Sequence, residues 1–95
     1  MIPVDGTRVR RREGVLSTTS GGETLLVDQS SGSVHVINPT AAKIWELCNG
    51  EPTVGGVVAG LAETYGMAPA ELQDDVLEML RTFGELGVVE LVPAA

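Results

Sequence analysis

Few side chains in this 95-residue sequence have the chemistry for a catalytic or metal centre. His35 is the only histidine and Cys48 the only cysteine. They fall on different expected elements, and two such ligands are short of the three or four protein ligands of a zinc site. No nucleophile motif accompanies His35, so it reads as a surface or groove histidine rather than a general base. Asp74 and Asp75 are neighbouring carboxylates, but successive helical positions point about 100° apart, which makes them a solvated face. Gly55-Gly56 lacks the Lys-Ser/Thr that would complete a phosphate loop. Arg8, Arg10, Arg11 and Arg12 form a basic run of the kind found in flexible tails that contact an acidic partner. The expectation is a protein without cofactor, metal or enzymatic activity.

What remains to act is backbone. Ser33-Val34-His35-Val36-Ile37 is rich in β-branched residues and follows the turn residues Ser30-Ser31-Gly32, so it reads as a strand. Asn38 is a good N-cap and Pro39 suits the first helical position. Ala41, Ile44, Trp45 and Cys48 then recur at i, i+3, i+4 and i+7, one apolar helix face. Gly50 is the stop. A strand edge and the only tryptophan are thus joined in one unit. Cys48 and Trp45 read as core.

The other elements arrange themselves around it. Thr24 to Asp28 is a strand that pairs with Ser33 to Ile37 as a hairpin. Either Arg8 to Arg12 or Val15 to Thr18 supplies a further strand, after loose N-terminal residues. Residues 1–14 are expected to be a flexible segment of a single domain spanning residues 1–95. Thr53 caps a second helix with Val54, Val57, Val58, Leu61 and Tyr65 on its apolar stripe. Gly55, Gly56 and Gly60 each weaken that helix by about 1 kcal/mol relative to Ala, so packing must hold it. A third helix runs from near Pro69 to Leu86, with Leu72, Val76, Met79, Leu80 and Phe83 inside and Gly87 as its stop. Val88 to Val92 is a last short strand, and Pro93-Ala94-Ala95 a tail. The fold class is α+β: an N-terminal two- or three-stranded antiparallel sheet followed by three helices.

Composition narrows the partners. The formal net charge is −7. Residues 1–14 carry a net +2, and residues 15–95 set Lys43 and Arg81 against eleven acids, a net −9. So acidic a body is repelled by nucleic acid. The single cysteine and the lack of an apolar signal core suit a reducing cytoplasm. No run approaches the roughly 20 apolar residues of a membrane span.

The order of elements and several residues together resemble the PqqD-like family of peptide chaperones, also called RiPP recognition elements. Ile37-Asn38 stands where the family has Leu-Asn. Thr40-Ala41-Ala42 and Ile44-Trp45 match its first helix, with Gly50 at its end. Thr53-Val54, Leu61-Ala62 and Tyr65-Gly66 match the second helix, and Asp75-Val76, Leu80 and Gly87 the third. Asn38-Pro39-Thr40-Ala41-Ala42 and Ile44-Trp45 are similar to the type that serves lasso-peptide biosynthesis. Ala68, where relatives carry a polar cap, and the glycines of the second helix depart from the pattern. The resemblance implies a winged helix-turn-helix with a three-stranded N-terminal sheet. It also implies a standalone, non-enzymatic role: binding a precursor's leader peptide by strand addition, between the third strand and third helix, and delivering it to a modifying enzyme or leader peptidase.

An edge strand offers unpaired N–H and C=O groups to an extended peptide, and neighbouring pockets choose its side chains. The expected peptide-binding residues are Ser33, Val34, His35, Val36 and Ile37 on the strand, with Asp75, Glu78, Met79 and Thr82 on the third helix. Periodicity leaves open which strand face meets the groove, because both faces hold apolar residues. The alternative is a small winged-helix DNA-binding protein. Its second and third helices would have to be basic, yet here they set six acids (Glu63, Glu71, Asp74, Asp75, Glu78, Glu85) against Arg81.

Overall fold

The computed structural model describes residues 6–93. Residues 1–5 and Ala94-Ala95, expected to be loose N-terminal residues and part of a tail, lie outside them. The elements are β1 (Arg8–Arg11), β2 (Val15–Ser20), β3 (Glu23–Asp28), β4 (Ser33–Ile37), α1 (Pro39–Leu47), α2 (Val54–Tyr65), α3 (Pro69–Leu86) and β5 (Val89–Val92). The fold is α+β, with a three-stranded antiparallel sheet in the order β2-β3-β4 and a two-stranded sheet of β1 and β5.

Both candidate N-terminal strands therefore exist, and they do different jobs. Val15–Ser20 completes the three-stranded sheet. Arg8–Arg11 pairs antiparallel with β5, Val9 opposite Leu91 and Arg11 opposite Val89. For residues 7–11 this corrects the expectation of a flexible segment, which had covered residues 1–14. The reason is burial: Val9 and Thr7 are inside the protein. On its other side β1 meets the approach to α2, where Val9 N donates to Pro52 O at 2.8 Å and Val54 N donates to Thr7 O at 2.8 Å.

The arginines are not a free tail either. Arg10 Nε lies 2.7 Å from Glu51 Oε1, and Arg12 Nη1 lies 3.3 Å from Glu90 Oε1. Arg8 donates to Glu51 O at 3.0 Å. Arg11 stacks its guanidinium 4.4 Å from the centre of the Trp45 ring. It also donates to Trp45 O through Nε and Nη2. A cation at the last turn of α1 complements the negative end of the helix dipole. Partial burial pulls the Arg11 pKa below its ordinary value, while the guanidinium keeps its charge.

The helix boundaries follow their local chemistry. Asn38 Oδ1 accepts from Ala41 N at 2.7 Å, and Pro39 occupies the first turn. Thr53 Oγ1 accepts from Gly56 N at 3.0 Å. Gly66 and Gly87 close α2 and α3 in the left-handed region. Ala68, before α3, provides no side-chain cap, so α3 begins on the fixed φ of Pro69 and the acid of Glu71 alone.

The three helices and the inner sheet face enclose an almost wholly aliphatic core. Leu26, Ile44, Leu61, Leu80, Val9, Val54, Val57, Val76, Val88 and Phe83 are fully buried. The Trp45 and Phe83 rings meet edge to face, 6.1 Å apart at 89°. The glycine-rich α2 owes its place to this packing. At Gly60 a Cβ would come within 2.8 Å of Leu47 Cδ2, so one glycine lets α1 and α2 approach closely.

Two outcomes follow from these contacts. Replacing Asn38 with Ala removes the α1 cap and lowers stability by about 1 kcal/mol, read by chemical denaturation. Burial pushes the Cys48 thiol up to about 11 from an ordinary 9.0. Between those values the unfolded chain releases the thiol proton and the folded chain keeps it, so this group's stabilisation is complete below pH 9 and fades as pH rises. Stability measured across that window falls less steeply in Cys48→Ala than in the parent.

Candidate functional site

The site begins with a hydrogen-bond register. Gly21 and Gly22 have φ of 60° and 83° and form a two-residue turn, with Ser20 opposite Glu23. Positive φ at both central positions is the demand of a type I′ hairpin, which glycine meets at no steric cost. The pair flanking such a turn is a hydrogen-bonded one, so Glu23, Leu25 and Val27 direct their backbone groups to β2. The donation of Gln29 N to Gly14 O at 2.9 Å continues that alternation. Thr24, Leu26 and Asp28 must then direct theirs to β4, where they face Ile37, His35 and Ser33. Val34 and Val36 are left with two N–H and two C=O groups pointing away from β3. No strand among the described residues pairs with that side of β4.

Side chains alternate in the same rhythm. His35 and Ile37 share the inner face with Leu26, and Ile37 is buried. Val34 and Val36 stand on the outer face, 55% and 62% exposed. Cross-strand neighbours Leu25, Val27 and Leu16 extend that face, with Leu16 54% exposed.

Beside the end of β4 opens a groove of about 550 Å³. Asn38, the residue directly after β4, lines it, together with Thr40. Its apolar floor is Ile44 from α1, Leu61 from α2 and Leu72 from α3. Tyr65 and Met67 line it from the end of α2 and the turn beyond. From α3 come Asp75, Glu78, Met79 and Thr82, one stripe at i, i+3, i+4 and i+7. Thr82 Oγ1 returns its proton to Glu78 O at 3.1 Å, so it presents a methyl and a spare lone pair rather than a free donor.

The four helix residues singled out from the sequence thus come together on one groove wall. The five strand residues do not line the groove. They form the open edge next to it, with only the Val34 and Val36 backbones unengaged. The sequence reading missed Tyr65, Met67, Asn38 and Thr40 as groove residues. Tyr65 and Met67 carried a signal, being large apolar residues flanking Gly66, the stop of α2, but Tyr65 was assigned to the inner stripe of α2. It is 45% exposed.

A second cleft, of about 610 Å³, is lined by Arg10, Arg11, Arg12, Glu13, Asp28, Ser30, Glu51 and Glu90. Its charges largely satisfy one another through the arginine pairs above. Asp28 is held below the usual carboxylate range by hydrogen bonds from Ser30, whose Oγ lies at 2.7 Å and N at 3.0 Å. This cleft lies between β1 and the β3–β4 turn and adds no reactive group. Among the described residues no group of three His, Cys, Asp or Glu side chains is placed to hold a metal ion. No helix among them is long and apolar enough to cross a membrane.

Comparison with known proteins bears on this geometry. The family model described as Coenzyme PQQ synthesis protein D (PqqD) matches residues 23–89. No curated protein sequence matches significantly. Three solved structures share the fold. One is the solution structure of the PqqD truncation of Methylobacterium extorquens PqqCD, described as a functional and stand-alone RiPP recognition element. It aligns with a TM-score of 0.77 at 22% identity, over 95% of each chain. TbiB1 in complex with the TbiA(beta) leader peptide gives 0.73 at 17% identity, over 85% of this chain and 94% of that one. Lasso peptide synthetase B1 complexed with the leader peptide gives 0.70 at 23%, over 86% and 96%.

The register makes a direct claim about backbone amides. In the ligand-free protein the Val34 and Val36 amides exchange with deuterium about tenfold or more faster than those of His35 and Ile37, as read by NMR or mass spectrometry. Equal protection along β4 would mean that a different set of groups faces the open edge.

Proposed function

The chain belongs to the PqqD family, and from that membership and the open β4 edge we propose that it binds the leader segment of a ribosomally made precursor peptide. The leader adds as a strand beside β4, its alternate side chains enter the groove along α3, and the complex is presented to a separate modifying enzyme or leader peptidase. The protein itself performs no chemistry. The observation that carries this reading is the pair of unengaged backbones at Val34 and Val36 next to a groove with an apolar floor. The similar fold of TbiB1 and lasso peptide synthetase B1, each described in complex with a leader peptide, supports it.

Magnitudes say why edge and groove must act together. Two donors and two acceptors at about 1 kcal/mol net apiece give roughly 4 kcal/mol, which is millimolar affinity. Micromolar affinity takes about 8 kcal/mol, before the entropy of ordering an extended chain is counted. Burying two apolar side chains on the floor of Ile44, Leu61 and Leu72 contributes about 2–3 kcal/mol each. The edge therefore fixes the direction and register of the guest, and the groove supplies most of the affinity and the discrimination.

Delivery needs a second surface. The outer sheet face of Leu16, Leu25, Val27, Val34 and Val36 is an uncovered apolar strip with the guest strand as its next neighbour. A partner enzyme seated there would touch recognition protein and leader at once. The DNA-binding alternative gains nothing from the structure, since α3 turns carboxylates, not cations, toward its groove.

Replacing Val36 with Pro tests strand addition. It removes an edge donor that the fold does not use and pins φ on an edge strand, where proline is tolerated. The variant stays folded by circular dichroism and loses at least about tenfold in affinity for a leader peptide that the parent binds, measured by fluorescence anisotropy. A folded variant with unchanged affinity would rule out pairing at Val36.

A further inference from the structure

We propose that the groove selects leaders carrying a lysine or arginine, placed so that its charge meets Asp75 and Glu78 while neighbouring apolar side chains fill the floor. This deepens the leader-binding reading and rests on it. Three observations carry it. Asp75 and Glu78 are three residues apart on one face of α3 and both line the groove. Neither carboxylate is in an ion pair among the described residues.

The chain's own cations are also committed elsewhere. Arg10, Arg12 and Lys43 pair with Glu51, Glu90 and Glu46, and Arg11 is stacked on Trp45. Arg8 is bonded to Glu51 O. Arg81, the one cation of α3, does not line the groove. An incoming peptide thus meets two carboxylates of one sign, neither of them engaged in an ion pair among the described residues. They stand over an apolar floor where the field of a charge is screened less than on an open surface. A cationic guest residue with a long aliphatic stem fits that combination: the stem packs along Met79 and the Thr82 methyl, and the head reaches the carboxylates. An acidic guest residue at the same position meets repulsion instead, which discriminates against the wrong leader.

The test is a selection of displayed random dodecapeptides on the immobilised full chain, run in parallel on the D75N/E78Q double variant. Both side chains are exposed, so the substitutions leave the fold intact, which circular dichroism checks. The parent is expected to enrich peptides with apolar residues and a Lys or Arg at fixed spacing from them. The variant is expected to keep the apolar residues and lose the basic one. A synthetic peptide from the parent pool should bind the variant about two- to fivefold more weakly at low salt, with the difference shrinking at 0.5 M salt as screening predicts (a Debye length of roughly 4 Å). An apolar motif without a basic residue, or a basic residue enriched equally by both proteins, overturns the proposal and leaves leader binding standing. Enrichment of no peptide by either folded protein overturns leader binding and this proposal together.

Discussion

The structure turns on four backbone groups that have no partner strand among the described residues. A buried or half-sheltered N–H or C=O is costly to leave unpaired, and water at the β4 edge satisfies the Val34 and Val36 groups only until a strand displaces it. What makes the edge a site is that its position is over-determined. The type I′ turn at Gly21-Gly22 fixes which β3 groups face β4, and that choice fixes which β4 groups face outward. Asn38 and Pro39 then end the strand at once and start α1, so the groove floor at Ile44 is held at a set distance from the edge. A one-residue slip anywhere in the meander would exchange the free amides of Val34 and Val36 for those of His35 and Ile37, and would turn Ile37 out of the core.

The N-terminal strand shows how the edge is kept open. β1 is another strand of the same chain with β-pairing capacity, and it is held away from β4. Burial of Val9, the paired backbone of β5 and the segment around Pro52, and the Arg11–Trp45 stack hold it in a sheet of its own with β5. The arginines that looked like a tail are the hardware of this arrangement. Individually the exposed pairs of Arg10 and Arg12 contribute little, of the order of 0–1 kcal/mol. Arg11 is different, because its guanidinium covers the face of the one tryptophan and bonds a carbonyl at the end of α1. Positive charge is thereby spent on structure at one end of the molecule, and negative charge is left to face the groove.

Much of this was legible in the sequence because local chemistry and global fold agree. Asn38-Pro39, Thr53 and the glycines at 66 and 87 are strong punctuation, and the apolar stripes of α1 and α3 have a clear helical period. The direction of Val76 left two flanks of α3 open, that of Asp75, Met79 and Thr82 and that of Leu77 and Arg81, and the groove lies along the first. Residues 8–12 read two ways, as a candidate strand and as a basic tail, because alternation of Arg with a single Val gives a weak strand signal. Their partner, Val89–Val92, lies almost the whole chain away, and no local pattern records a pairing of that span. Tyr65 failed for a related reason. Its spacing fits the inner stripe of α2, but Gly66 turns the chain immediately after it, and the last turn of a helix can present such a side chain to a groove rather than to the core.

An open β edge is also an invitation to another copy of the same chain, and the features that suit it to a guest discourage that. β4 is five residues long, short for self-templating. Two copies meeting edge to edge would bring together bodies that each carry a net −7. A peptide of opposite local charge feels the same field as attraction. The net acid of the chain therefore opposes the homotypic pairing that the backbone alone would permit, and on the proposed reading it leaves the same backbone available to an extended chain of the right sign.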